Sequence, residues 1–376
     1  MKRVHFAGGM LAALLIPLSA NADWETNLRV GVTDLSREIY DLHMMILWIC
    51  IIIAIGVFGV MIYSMVKHRK SQGAVAATFH ESTTAEIAWT VLPIIILISM
   101  AVPAAKTLVK IEDSSNADMT IKVTGHQWKW EYDYPEEKIH FFSNLDAKSR
   151  EASARGSGID PATIDNYLLE VDKPLVIPVG KKVRFLFTSN DVLHAWWVPD
   201  LAVKKDAVPG FVNDMWAKVN TPGTYRGQCA ELCGKDHGFM PIKVIAMEQV
   251  DYVKWVGEQK VAAARAAAAN DKEWDMAGLM AQGKKVYDTT CVSCHMPNGA
   301  GLPGVFPAIK GSPIAIGDIN AHIDIVVNGK PGTAMQAFGA QLSDADLAAV
   351  ITYERNGFDN NAGDLVQPAT IKAARK

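Results

Sequence analysis

Two long apolar stretches dominate the first third of the chain. Residues 44–66 carry no formal charge, and residues 87–109 are nearly as apolar although Pro93 and Pro103 interrupt them. At a rise of about 1.5 Å per helical residue, each stretch can cross a hydrocarbon core about 30 Å thick. The basic run at residues 67–70 follows the first stretch, and the positive-inside rule puts that end in the cytoplasm. We predict a two-span hairpin rather than a buried hairpin of a soluble protein.

The N-terminus has the form of an export signal. Two basic residues precede an apolar run at residues 10–17, and Ala20-Asn21-Ala22 has the small-x-small form of a cleavage site. This pattern predicts a secretory signal peptide over residues 1–22, with an uncleaved anchor helix as the alternative. Export agrees with the predicted hairpin orientation, because both place the N-terminus outside the cytoplasm.

Beyond residue 111 the pattern changes to short runs that alternate apolar and polar residues. With turn residues between them, these runs predict an antiparallel β-sandwich or barrel. The runs are 120–124, 128–134, 167–171, 175–179, 183–189 and 242–247, and residues 135–165 are a polar insertion. The predicted boundaries are 1–22 for the signal peptide, 23–110 for the N-terminal segment and hairpin, 111–248 for the β-domain, 249–275 for a helical linker, 276–361 for a helical domain and 362–376 for a tail.

The net charge and the number of cysteines limit the ligands that this protein can be expected to bind. The formal net charge is −3, and the 37 lysines and arginines are scattered rather than gathered on a basic face with aromatic residues, so nucleic-acid binding is not expected. Only five cysteines are present. Four of them fall into two closely spaced pairs, and Cys50 lies alone within the first span.

The first cysteine pair belongs to a loop rich in soft ligands, residues 227–240. Cys229 and Cys233 are four residues apart, and His237 and Met240 follow. Thiolate, thioether and imidazole ligands together favour copper, whereas a closed zinc site needs no methionine. A disulfide beside a surface histidine is the alternative. His194 follows a predicted strand 35 residues before Cys229 and supplies a second imidazole.

The second cysteine pair forms the motif Cys291-Val292-Ser293-Cys294-His295. This is the pattern of c-type haem attachment, in which both thiols add to porphyrin vinyl groups and the histidine becomes an axial ligand. A disulfide or redox pair is the alternative. Residues 332–338 resemble the methionine loop of class I cytochromes c, which makes Met335 the predicted sixth ligand. His322 is the competing ligand, and Gln336 stands where that loop often has proline.

Three motifs resemble subunit II of cytochrome c oxidase in their order and separations. They are residues 125–130 (GHQWKW), 191–196 (DVLHAW) and 227–240. The second span, with EIAWTVLP at residues 86–93, resembles that family too. The resemblance covers roughly residues 23–247 and is most specific at the sulfur-rich loop.

The resemblance implies a cupredoxin domain with a binuclear, mixed-valence copper centre. Its implied ligands are Cys229 and Cys233 bridging both coppers, His194 and His237 on one copper each, Met240 as a weak ligand, and the carbonyl of Glu231. Two bridging thiolates would share one electron across both metals, which keeps the reorganisation on electron transfer small. Family members that accept quinol lack these ligands, and this chain has all of them.

Three further roles come from the resemblance alone. Trp128 matches an exposed tryptophan through which electrons enter, although a packed sandwich aromatic is the alternative. The side chain of Glu231 matches a ligand of magnesium at the boundary with subunit I. Glu86 matches the acid at the mouth of a proton path, although a helix cap is the alternative.

The expected protein is therefore multidomain, with a two-helix transmembrane hairpin, an all-β cupredoxin-like sandwich and an all-α cytochrome c domain. It would pass electrons from its own covalent haem c to the copper pair and on to subunit I, which reduces oxygen and pumps protons. The expected partners are subunit I with haem a and copper B, subunit III, an external cytochrome c and membrane lipid. The expected location is a bacterial plasma membrane, with both redox domains on the outer face.

Two alternatives remain at this point. One is a nitrous oxide reductase-like or other periplasmic copper and haem protein, although the reductase would need a second, histidine-rich cluster that the sequence lacks. The other is a non-catalytic membrane assembly factor that uses the loop only to hold metal.

Overall fold

The computed structural model describes residues 27–154 and 156–375, and the predicted signal peptide lies outside this part of the chain. Two long helices come first, α1 (Asp34–Lys67) and α2 (Thr83–Glu112), and each is long and apolar enough to cross a membrane. Both extend beyond the predicted spans because polar residues outside the apolar stretches start them. Thr33 forms a capping box at the start of α1, and Ser82 caps α2.

The two helices form an antiparallel hairpin tied to the β-domain. The carboxylate of Glu38, near the start of α1, lies 2.8 Å from Lys110 Nζ near the end of α2. Thr107 Oγ1 also donates to Glu38 over 2.8 Å. In the β-domain, Trp216 Nε1 donates to the Lys110 carbonyl over 3.0 Å. These contacts set the direction in which the β-domain leaves the second helix.

Ten strands, counted within the described residues, form two five-stranded sheets packed as a sandwich. They are β1 (Met119–His126), β2 (Lys129–Tyr134), β3 (Ile139–Ser143), β4 (Leu175–Pro178), β5 (Lys182–Ser189), β6 (His194–Val198), β7 (Val203–Ala207), β8 (Asn213–Lys218), β9 (Gly223–Cys229) and β10 (Pro241–Met247). One sheet has the order β3-β2-β1-β5-β8 and the other β4-β10-β9-β6-β7. A short helix, α3 (Ala147–Ser153), follows β3.

The sandwich is confirmed, but two details of the prediction were wrong. The sheets are mixed rather than antiparallel, because β1 pairs in parallel with β5 and β4 pairs in parallel with β10. Residues 167–171 form turns with a single bridge from Val171 to Leu145, not a strand. Part of the polar insertion is regular, since β3 pairs with β2.

Aromatic residues fill the space between the sheets. Alternate residues of β5 are buried, as a strand with one face in the core requires. Phe185 stacks on Trp196 with ring centroids 5.4 Å apart, and Phe187 packs against the same ring in a tilted arrangement at 5.7 Å. Burying one such side chain contributes about 1.5–3 kcal/mol, so this cluster fixes the ends of β6 and β9 that hold the candidate site.

A 22-residue helix, α4 (Gln249–Asn270), connects the sandwich to a helical C-terminal unit. That unit contains α5 (Met276–Val286), a π-turn (Tyr287–Cys291), α6 (Val292–His295), α7 (Pro313–Ile316), α8 (Ile319–Asn328), α9 (Asp344–Asn356) and α10 (Pro368–Ala374). Helix α5 leads into the haem motif, and α9 packs against α5.

Helices α5 and α9 cross in close contact at Gly283. A Cβ at this position would lie 2.1 Å from the Ala349 carbonyl oxygen, so only glycine permits the crossing. Of the predicted tail (362–376), the described residues 362–375 contribute to this packing. Val366 and Ile371 are buried in the core of the unit because α10 covers α9, a long-range contact with no local sequence signal.

Candidate metal centre and haem cavity

The sulfur-rich loop joins β9 to β10 and brings its donor atoms together. Cys229 Sγ lies 3.9 Å from Cys233 Sγ and 3.4 Å from the Glu231 carbonyl oxygen. Cys233 Sγ lies 3.4 Å from His237 Nδ1 and 3.5 Å from Met240 Sδ. Both cysteines are free, and their separation is far longer than the 2.05 Å or so of a disulfide. The loop therefore presents separate thiol ligands.

His194 reaches this cluster from the first residue of β6. Its Nδ1 lies 3.8 Å from Cys229 Sγ, and its Nε2 is 2.9 Å from Asp191 Oδ1. The pairing of Trp196 with Cys229 across β6 and β9 sets this placement. Gly125 is also required, because a Cβ there would lie 2.7 Å from the His194 ring. The carboxylate orients the imidazole so that its other nitrogen faces the thiols.

The electrostatics prepare one thiol as a metal ligand. Hydrogen bonding from the Cys233 thiol, and then from His194, holds the pKa of Cys229 well below its usual value in spite of burial. The lowered pKa favours the thiolate form of Cys229, which is the form that binds metals. Burial alone would lower the pKa of His194, but its bonds to Asp191 and Cys229 raise it. Thiolate, imidazole and thioether donors in a buried cluster fit copper.

The haem motif lines a cavity between the C-terminal unit and the sandwich. Cys291, Cys294, His295 and Met335 all line it. His295 Nδ1 is 2.9 Å from the Pro307 carbonyl, which leaves Nε2 for an iron. Burial raises the pKa of both thiols, so they are neutral. An apolar cavity with these four side chains fits a haem.

His322, the competing ligand, is already engaged. It lines the cavity, but its Nε2 lies 2.9 Å from Glu354 Oε2, and both side chains are about 95% buried. Two hydrogen bonds hold the Met335 backbone. The Met335 backbone nitrogen donates to Thr333 Oγ1 over 3.2 Å, and the Lys330 backbone nitrogen donates to the Met335 carbonyl oxygen over 3.0 Å. The geometry thus leaves the thioether of Met335 free and the His322 imidazole paired.

Trp128 lies between the two candidate sites. Its Nε1 donates to the Cys233 carbonyl over 3.1 Å, and the side chain also lines the haem cavity. The residue is only 9% exposed, so the expected exposed tryptophan is covered in this chain. Residues of both units line the cavity beside Trp128, and Cys294 and Phe306 of the C-terminal unit pack against the buried cluster to which Trp128 belongs. The alternation of β2 alone could not reveal this long-range arrangement.

Sequence reasoning missed the polar residues that join the two units. Lys129 Nζ donates to Gln341 Oε1 over 2.6 Å, and Lys235 Nζ donates to the Ser293 carbonyl over 2.7 Å. Lys129 also lies over the Phe142 ring at 4.5 Å. A lysine at the buried end of a strand was the available signal, because buried charges need a specific partner.

Glu86 is remote from this region. It lies in the first turn of α2, four residues after the cap Ser82, and it is exposed in this chain. Glu231 points its carbonyl at Cys229, and its side chain is half-buried beside the loop. The structure brings the predicted copper ligands together and the predicted haem ligands together, and it leaves Glu86 apart from both.

Comparison with known proteins agrees with the grouping of the candidate ligands into a copper site and a haem site. Residues 119–247 match the family model for the periplasmic domain of cytochrome c oxidase subunit II, and residues 21–107 match its transmembrane domain. A probable cytochrome c oxidase subunit 2 from Rickettsia bellii is 37% identical over 241 residues, which are 64% of this chain and 86% of that protein. The chain belongs to the cytochrome c oxidase subunit II family.

Other relatives extend the comparison. Cytochrome c oxidase subunit 2 of Cereibacter sphaeroides is 33% identical over 245 residues, 62% of this chain and 80% of that one. The crystal structure of the periplasmic domain of subunit II of Bradyrhizobium japonicum cytochrome oxidase is 39% identical, with a TM-score of 0.35, and the match covers 40% of this chain and 98% of that one. Residues 278–353 of this subunit II match the model for cbb3-type cytochrome c oxidase subunit III.

These matches confirm the main predictions. This subunit II has a transmembrane hairpin, a cupredoxin-like copper domain and a cytochrome c domain that carries haem, with both redox domains on the periplasmic face of the membrane. It is the electron-input subunit of a haem-copper oxidase, an oxidoreductase complex that includes subunit I. The alternatives of a nitrous oxide reductase-like protein and of an assembly factor are not favoured.

Proposed function

We propose that the copper centre is binuclear and that the haem is covalently bound. The copper ligands are Cys229, Cys233, His194, His237, Met240 and the Glu231 carbonyl. Each donor atom lies within 4 Å of one of the two thiols, which supports a shared pair of metals bridged by sulfur. When bound, the coppers and the haem supply one-electron chemistry, and the protein holds them in a fixed geometry.

Covalent attachment is supported by the motif at residues 291–295, whose two thiols line the haem cavity. Cys291 and Cys294 would each hold the haem through a thioether, which the S–H bond would form by adding across a vinyl C=C bond, with sulfur on one carbon and hydrogen on the other. His295 and Met335 are the proposed axial ligands. The Pro307 carbonyl fixes the His295 ring, and the pairing of His322 with Glu354 favours Met335.

The order of electron transfer is haem, copper, then subunit I, and one observation carries it. Trp128 lines the haem cavity and hydrogen-bonds to the backbone of Cys233, so a single side chain spans the distance between both sites. Because residues of the cytochrome c domain line the cavity next to Trp128, the domain itself is the immediate donor. Its tether keeps the local concentration of donor high.

The remaining partners are part of the same proposal. An external cytochrome c or other periplasmic donor reduces the haem, and subunits I and III complete the oxidase. Subunit I, with haem a and copper B, reduces oxygen and pumps protons. The Glu231 side chain contributes to a magnesium site at the boundary with subunit I, and Glu86 lies at the mouth of a proton path. The domain limits are 111–248 for the copper domain and 276–361 for the main part of the cytochrome domain.

Replacement of Cys233 by Ser tests the order of transfer in the assembled oxidase. We expect the mixed-valence copper signal in electron paramagnetic resonance to disappear while the c-type haem spectrum remains. The haem should then stay reduced under oxygen, since its acceptor is gone. Cys50→Ser is the matched control, because Cys50 lies in α1 far from both sites. Continued oxidation of the haem in Cys233→Ser would contradict the proposed order.

A further inference from the structure

A glutamine of the cytochrome domain is hydrogen-bonded at both ends of its amide where the two domains meet. Gln336 directly follows Met335, and its Nε2 donates to Asp191 Oδ2 over 3.0 Å and to the Gln127 carbonyl over 3.3 Å. Gln341 Nε2 donates to Gln336 Oε1 over 3.3 Å. These bonds fix the side chain of the residue next to the proposed iron ligand.

The same carboxylate belongs to the copper domain's own ligand support. Asp191 Oδ1 lies 2.9 Å from His194 Nε2, and Asp191 Oδ2 accepts a second bond from the Gln127 backbone nitrogen over 2.7 Å. The Asp191 side chain is only 16% exposed. One carboxylate therefore contacts the imidazole of the copper site with one oxygen and the methionine loop with the other.

We propose that Gln336 is a positioning residue for electron transfer between the two domains. It anchors the methionine loop to Asp191, which already orients His194, and so holds the haem domain over Trp128. This inference rests on the proposed function, because it takes Met335 and His194 to be ligands of the two metals.

The chemistry of the contact predicts how docking responds to salt. Gln336 offers a neutral amide to Asp191, and the other cross-domain bonds join Lys129 to an amide and Lys235 to a backbone carbonyl. Within residues 27–154 and 156–375, no ion pair joins the two domains. Since screening weakens charge pairs most, transfer within the chain should vary little with ionic strength.

Two substitutions at Gln336 test the contact in the assembled oxidase. After photoreduction of the haem, its oxidation and the reduction of copper are followed by absorbance. Gln336→Glu sets a carboxylate against Asp191, and we expect transfer to slow by about tenfold or more, because like charges facing each other at an interface are strongly unfavourable. Gln336→Lys replaces the amide with a cation, so we expect a rate within about twofold of the native one at low salt that falls as salt rises.

A matched control and the cofactor signals separate this inference from the proposed function. Gln282 Nε2 donates to Asp346 Oδ1 over 2.8 Å within the cytochrome domain, so Gln282→Glu makes the same change away from the contact and should keep the native rate. A native rate in Gln336→Glu with intact copper and haem signals would overturn the inference. If Gln336→Glu does not assemble, a salt-independent Gln336→Lys would overturn it. Absence of a mixed-valence copper signal from the unaltered oxidase would instead refute the proposed function.

Discussion

Lys129 gives the sharpest prediction on stability, because it is a cation buried where the two redox domains meet. It is 7% exposed, and its ammonium group has one neutral acceptor, Gln341. Burial lowers the pKa of Lys129 to about 8, although Glu131 and other carboxylates partly oppose this. The ordinary pKa of lysine is 10.5, so a folded-state pKa of about 8 means that the charged form of Lys129 lowers the free energy of unfolding by about 3 kcal/mol.

The sign of the pH dependence follows from linkage. Between pH 8 and 10.5 the unfolded chain binds more protons at Lys129 than the folded chain, so stability rises with pH in that window. Below pH 8 the full cost is present. Lys129→Met removes the charge and also the hydrogen bond to Gln341, which contributes about 1 kcal/mol. We expect the variant to be about 2 kcal/mol more stable at pH 7 and to lose this advantage by about pH 10.

Urea unfolding of the detergent-purified subunit, followed by circular dichroism of the haem band, measures this difference. Lys235→Met is the matched control, since Lys235 also crosses between the domains but its side chain is 38% exposed. Its stability relative to the native chain should not change between pH 7 and 10. Parallel pH profiles for Lys129→Met and the native chain would show that the buried charge carries no such cost.

Two further substitutions test the ligand sets. Met335→Ala should leave the haem attached but change the part of its absorption spectrum that depends on the axial ligand. An unchanged spectrum would mean that another residue, such as His322, is the sixth ligand of the iron. Gly125→Ala places a Cβ 2.7 Å from the His194 ring and should reduce the copper content measured by metal analysis. Gly257→Ala, in the open middle of α4, is its control and should bind copper normally; equal copper in both variants would show that His194 does not depend on that close approach.

Local spacing explains why the ligand sets could be predicted from the sequence. Cys229, Cys233, His237 and Met240 share one loop, so their separation in sequence limits their separation in space. The CxxCH motif is similarly local. His194 was harder, because its placement depends on the register of β6 against β9, but a histidine soon after a predicted strand, 35 residues before Cys229, was a sufficient signal.

The contacts between domains could not be predicted in the same way. Lys129 and Gln341 are 212 residues apart, and neither follows a periodic pattern that points to the other. The surroundings of Trp128 have the same cause, since residues of another domain pack against its buried cluster and line the cavity beside it. The parallel strand pairs also escaped prediction, because alternation gives the face of a strand but not the direction of its neighbour.

The account depends most on Trp128 as the connection between haem and copper. Trp128→Phe keeps an aromatic ring but removes the Nε1 bond to the Cys233 carbonyl, which still accepts a bond from Gln127 Nε2 over 2.9 Å. The decisive measurement is the rate of copper reduction after photoreduction of the haem in this variant. The account predicts markedly slower transfer with unchanged haem and copper spectra. A native rate in Trp128→Phe with both cofactors intact would contradict it.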